Sequence, residues 1–122
     1  MVDLKETMIY EKLEHKKVKC GICSQRCELK PGQKGFCGVR ENMGGKLYSL
    51  VYALAVDVNV DPIEKKPFFH FAPGSRALSV ATVGCNLHCQ FCQNWQISQE
   101  FEKPFGKRYL PEDLIKKAKA WR

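Results

Sequence analysis

Cys85, Cys89 and Cys92 place three thiols within eight residues, separated by three and then two positions. A loop this short can wrap one corner of a cuboidal iron-sulfur cluster, each thiolate reaching a different iron. Three ligands leave one iron open, and an open iron can bind a substrate or cofactor directly, whereas a cluster with four cysteines is saturated and suited to electron transfer alone. Zinc is the competing chemistry, with His88 as a fourth ligand beside the three thiols. Against it, His88 directly precedes Cys89, and adjacent ligands do not easily point at one metal from so short a loop. Buried free thiols, the plainest alternative, would require three cysteines to gather by chance just after an apolar strand.

Cys20, Cys23, Cys27 and Cys37 form another group, four thiols with two, three and nine residues between them. Four ligands opening on Cys-x-x-Cys fit a closed tetrahedral zinc site or a saturated auxiliary iron-sulfur cluster. Spacing does not separate the two; nothing redox-specific marks the group, which favours a structural metal. Disulfides are disfavoured: seven cysteines are an odd set, and Asp3, Lys5 and Glu6 precede any apolar stretch, so the start lacks the pattern of a secretory signal. A cytoplasmic address is the expectation. His70, within Phe68-Phe69-His70-Phe71, reads as a core or supporting residue rather than a ligand. Asp57, Asp61 and Glu64 read as structural, with Glu64 beside Lys65 and Lys66 in a solvated turn.

The elements that position these groups divide into three segments. Residues 1–45 are cysteine-rich and polar: Met8–Leu13 and Val18–Ile22 make either a hairpin or a helical turn, and Pro31-Gly32, Gly35, Gly38 and Gly44-Gly45 then mark a loop held by something other than a core. Residues 46–75 are strand-rich and connecting. Leu47–Val56 forms a strand, Asp61-Pro62 breaks the pattern, Pro67–Phe71 is extended, and Pro73-Gly74-Ser75 turns. Residues 76–122 begin with Ala77–Val83, whose short apolar run suits a parallel strand buried on both faces and leads into Cys85. They end in a helix from Pro111, with Leu114, Ile115, Ala118 and Trp121 on one face. Lys116 to Arg122 read as its solvated surface.

With 122 residues and 44% apolar content, the chain is one small domain or a piece of a larger protein. The longest apolar run, Leu50–Val56, is far below the roughly 18 residues of a membrane span. The net charge of +7 sits at the two ends, around a nearly neutral centre, and the basic residues are not interleaved with aromatics. Both features disfavour a nucleic-acid partner.

The segment Gly84-Cys85-Asn86-Leu87-His88-Cys89-Gln90-Phe91-Cys92-Gln93-Asn94 resembles the signature of radical S-adenosylmethionine (SAM) enzymes. Asp61-Pro62-Ile63-Glu64-Lys65-Lys66-Pro67 and His70-Phe71-Ala72-Pro73-Gly74-Ser75 look like the branch related to pyruvate formate-lyase activating enzymes, specifically the radical SAM enzyme of the AmmeMemoRadiSam system. The resemblance runs over roughly residues 8–122. It implies that Cys85, Cys89 and Cys92 hold a [4Fe-4S] cluster whose unique iron chelates SAM. Reductive cleavage of SAM would then give methionine and a 5′-deoxyadenosyl radical that removes hydrogen from a substrate. Phe91 matches the family's aromatic position beside the adenine; its other role would be packing under the loop.

Cysteines similar to Cys20, Cys23, Cys27 and Cys37 also occur in that family. A flavodoxin or ferredoxin is the implied electron donor. Related activating enzymes act on a glycine of a partner protein, but no residue here selects a protein over a small molecule as substrate. The fold expected is α/β: a metal-stapled amino-terminal loop and short strands leading into the first strand-helix unit of a partial (β/α) barrel. Such barrels need roughly 200 residues or more, so the chain reads as the amino-terminal portion of a longer enzyme, inactive on its own for want of the later strands. The alternative from another class is a small zinc-binding module that engages a protein or nucleic-acid partner.

Overall fold

The computed structural model describes residues 3–121. In chain order its elements are β1 (Lys5–Glu6), β2 (Tyr10–Lys12), β3 (Val18–Cys20), β4 (Glu28–Leu29), β5 (Arg40–Met43), β6 (Lys46–Ser49), β7 (Leu54–Ala55), β8 (Asp57–Pro62), β9 (Arg76–Ala81), α1 (Trp95–Ser98), β10 (Lys107–Arg108) and α2 (Pro111–Ala120). They make two three-stranded sheets, β1-β6-β5 and β2-β3-β4, and two pairs, β8-β9 and β10-β7. Every strand pairing among the described residues is antiparallel.

The cysteine-rich segment takes the hairpin of its two readings, β2 against β3, with Tyr10 opposite Cys20 and Lys12 opposite Val18. Its later half is not all loop. Gly44 and Gly45, at φ +64° and +96°, form the tight reversal that joins β5 to β6, a two-glycine hairpin crossing the expected boundary at residue 45. Asn42 on β5 is fully buried. Its amide donates to the carbonyls of Lys16 and Leu29, and its own carbonyl accepts from the Gly45 N–H. One polar side chain thereby satisfies three backbone groups and joins the two sheets.

Three strand expectations need correction. Leu47–Val56 is not one strand but β6 and β7, interrupted by a turn at Ala53 with φ +55°. Pro67–Phe71 is not a strand: this stretch is exposed, with Phe68 and Phe71 packed edge to face. Finally, β9 is neither parallel nor buried on both faces. It pairs with β8 from Asp57↔Ala81 to Pro62↔Arg76, and Val80 is 43% exposed. The physical reason lies in β8, where Asp57-Val58-Asn59-Val60 alternates polar and apolar with the period of a half-buried strand and offers β9 a complete antiparallel partner. The described residues therefore contain no (β/α) barrel, and none of them form a helix long and apolar enough to cross a membrane.

Asp61 on β8 ties this pair together. Its carboxylate accepts from Lys65 at 2.8 Å, from the Ser79 hydroxyl on β9 at 2.6 Å and from Lys66 at 3.2 Å. These three donors, the Lys65 ammonium foremost, hold the carboxyl well below the usual carboxylate range. Because the group is more acidic in the fold than in the unfolded chain, where it titrates near pH ~3.9, it stabilises the protein above about pH 4. That contribution is lost as the pH falls below that value. The thermal midpoint of the native chain should therefore drop more steeply on acidification below about pH 4 than that of Asp61→Asn; parallel profiles would show that the cluster is energetically silent. Glu64 accepts the Gly74 N–H at 2.8 Å, pinning the 67–75 loop. Asp61 and Glu64 thus have structural partners.

Two small cores form. Val18, Cys20, Leu29 and Leu47 pack in one, with Tyr10 and Cys27 at its edge. Val39, Val51 and Val83 make the other, flanked by Cys37, Val56, Ile97 and Phe101. The helix α2 starts where expected, with Pro111 in its first turn and the Asp113 carboxylate accepting the Leu110 N–H at 3.0 Å. Its apolar face is mostly open, since Ile115 and Trp121 are 55% and 53% exposed.

Candidate metal centre

The second core leads into the cysteine loop. Val83, 1% exposed, anchors its start, and Ile97 and Phe101 pack beside it at the far end. The Gly84 N–H donates to the Ile97 carbonyl at 2.9 Å, so the segment carrying Cys85, Cys89 and Cys92 is clasped at both ends onto that core. Gly84 has φ +92°, a conformation that favours glycine. A Cβ there would lie 2.6 Å from a Val39 methyl and 2.7 Å from the Cys37 carbonyl oxygen. The residue before Cys85 is therefore glycine because the backbone carrying Cys37 passes too close for any side chain.

Inside the clasp, the Leu87 N–H lies 3.4 Å from Cys85 Sγ, and the Ser98 hydroxyl lies 3.3 Å from Cys92 Sγ. The Cys92 N–H donates to the Cys89 carbonyl at 3.2 Å, closing a tight turn between the second and third thiols. Gln99 Nε2 donates to the same carbonyl at 3.2 Å. All three cysteines are partly exposed free thiols. Phe91 does not pack under the loop but projects outward, 87% exposed. His88 is stacked on Phe36, with ring centroids 4.2 Å apart and planes inclined by 23°. His70 lies exposed in the 67–75 loop, which corrects the expectation of a core position.

The first group of cysteines is folded against the same loop. Cys20, Cys23, Cys27 and Cys37 line one cavity of about 310 Å³, and Cys85 lines it too. The Cys20 N–H donates to the Cys27 carbonyl at 2.9 Å, and Arg40 Nη1 lies 3.8 Å from Cys37 Sγ. Gln25 Nε2 donates to the Asn86 carbonyl at 2.8 Å, bridging the two loops. Among the described residues, no three His, Cys, Asp or Glu side chains already converge on one ion-sized point. The chemistry of the donors nevertheless fits thiophilic metals at both places: three reduced thiols on a clasped loop, and four around one cavity beside a guanidinium. Gln25 and Phe36 escape a reading of the sequence because each acts across the chain on the other cysteine loop, whereas Arg40 and Ser98 lie only three and six residues from the cysteines they touch but match no motif, and Gly84 is adjacent to Cys85.

No protein-family model matches the sequence, and no solved structure matches it. Two proteins of Methanocaldococcus jannaschii are similar. Uncharacterized protein MJ0808 is 45% identical over 117 residues, which are 94% of this chain and 35% of that protein. Uncharacterized protein MJ0674 is 29% identical over 102 residues, 82% of this chain and 25% of that protein. The chain thus spans about a third and a quarter, respectively, of the length of these relatives.

Proposed function

We propose that this chain is the cluster-binding part of a radical SAM enzyme related to the pyruvate formate-lyase activating enzymes. The observation that carries the reading is the Gly84–Ile97 clasp, which presents the three thiols of a signature-like Cys-x3-Cys-x2-Cys loop on one short, partly exposed turn. Cys85, Cys89 and Cys92 would hold a [4Fe-4S] cluster, which when bound supplies the electron for reductive cleavage of SAM. The chain's own residues orient the ligands. The Leu87 N–H and the Ser98 hydroxyl are placed to donate to Cys85 and Cys92, stabilising thiolate charge, and hydrogen bonds to sulfur are one of the levers that set a cluster's potential. Phe91 stands free at the loop surface, where its ring can cover a planar group such as adenine. His88, engaged with Phe36, stays out of the ligand set. A flavodoxin or ferredoxin is the proposed electron donor.

We assign the activity to the whole protein rather than to this segment, which spans about a third of the length of MJ0808. The test needs only this chain. Reconstituted without oxygen and reduced, it should show the paramagnetic resonance signal of a reduced [4Fe-4S] cluster, and added SAM should change that signal. A colourless protein with zinc on Cys85, Cys89 and Cys92 would overturn the proposal in favour of a zinc module.

A further inference from the structure

The two groups of thiols are linked by three independent contacts between the 20–37 loop and the 84–92 loop. Gln25 donates to the Asn86 carbonyl at 2.8 Å. Phe36 stacks on His88 at 4.2 Å. The backbone at Cys37 and the Val39 side chain leave Gly84 no room for a Cβ. The 20–37 loop that makes these contacts has almost no core of its own, for within it only Cys20 and Leu29 are buried. A loop so poorly buried needs a staple to hold any fixed shape. Its four cysteines line one cavity of about 310 Å³. Beside them, Arg40 Nε is buried without a hydrogen-bond partner, while Nη1 of the same guanidinium lies 3.8 Å from Cys37 Sγ. A buried orphan donor points to an absent acceptor. Four thiolates around one divalent cation carry a net charge of two minus, which the guanidinium is placed to offset.

We infer that Cys20, Cys23, Cys27 and Cys37 bind one zinc ion, and that this ion is the platform on which the 84–92 loop is built. Filling the first site fixes the 20–37 loop, and Gln25 and Phe36, as positioning residues, pass that order to the loop that carries Cys85. Linkage makes the effect reciprocal: a loop held in place at 84–92 strengthens zinc binding by the same factor.

The test uses the 122-residue chain, reduced, oxygen-free and stripped of metal, and titrated with Zn²⁺ alone. Bound zinc is counted by elemental analysis, and amide hydrogen exchange is followed in peptides covering residues 84–94. One zinc per chain is expected, with exchange across 84–94 slowed about tenfold, the size of an ordinary coupling between sites. Cys27→Ala or Cys37→Ala should abolish both effects, and Cys89→Ala should keep the zinc. Phe36→Ala combined with Gln25→Ala, which removes no ligand, should keep the zinc and lose most of the slowing. The inference is overturned by a chain that binds no zinc, by zinc retained in Cys27→Ala and lost in Cys89→Ala, by zinc binding that leaves 84–94 unchanged, or by undiminished slowing in the Phe36 and Gln25 double variant. Neither iron nor SAM enters the experiment, so its failure is separate from failure of the proposed radical SAM function.

Discussion

Alanine at any one of Cys85, Cys89 or Cys92 is expected to reduce the iron of anaerobically reconstituted protein from about four atoms per chain to background. The effect should be nearly all-or-none. Only three thiolates are available on the clasped loop, so losing one leaves a second iron without a protein ligand on a surface where water and chelators reach it. The three variants should behave alike in iron and sulfide content although their sulfurs have different neighbours, Leu87 N–H for Cys85 and the Ser98 hydroxyl for Cys92. Substitution at Cys23 or Cys27 should instead lower zinc, and lower iron only as far as the second loop loses its support. If single alanines at 85, 89 and 92 retain full iron while substitutions in the first group remove it, the cluster has been assigned to the wrong thiols.

Gly84→Ala should be the most damaging single methyl addition near the site. The new Cβ would sit 2.7 Å from a backbone oxygen and 2.6 Å from a valine methyl, at a φ of +92° that side chains rarely adopt. Overpacking and left-handed backbone strain each cost about 1–3 kcal/mol. Together they should lower the thermal midpoint by on the order of 10 °C. The backbone has one way to relieve the clash, by moving Gly84 away from Cys37, and that breaks the Ile97 hydrogen bond and displaces Cys85. Iron uptake should therefore fall with stability. A control at Gly32, where an added Cβ meets nothing within 4 Å, has a similar φ of +84° and separates backbone strain from steric clash. If Gly84→Ala is no worse than Gly32→Ala in midpoint and iron content, the close approach of the two loops is not rigid.

How far the sequence carries can be judged residue by residue. The cysteine loop and α2 were readable because their signals are local: three thiols in eight positions, and Pro111-Glu112-Asp113 ahead of an apolar periodicity. The β5–β6 hairpin carries its signal in Gly44-Gly45, but Pro31-Gly32, Gly35 and Gly38 before it favour loop, and only the buried bonds of Asn42 show why a strand forms there. β8 was hidden by the continuous apolar run before it, although Asp57 to Val60 alternates cleanly. For β9, composition favoured burial on two faces, whereas the available antiparallel partner decided the pairing. The meeting of Cys85 with the first four thiols lay beyond a single sequence. It depends on contacts spanning 61 residues between Gln25 and Asn86, and no local pattern encodes a side chain reaching a distant carbonyl.

The Gly84–Ile97 clasp also bears on kinetics. Because the segment rests on a small apolar anchor, closed by the Gly84–Ile97 hydrogen bond and steadied by Gln25 and Phe36, it can open as a sub-global unit when those few contacts release together while the hairpins stay folded. Damage by oxygen would then follow the frequency of that local opening. If the proposed cluster sits there, a chain that resists heat or denaturant well would still lose it in air at the rate of that opening, and shelf life would be extended by tightening residues 84–97 rather than by stabilising the sheets.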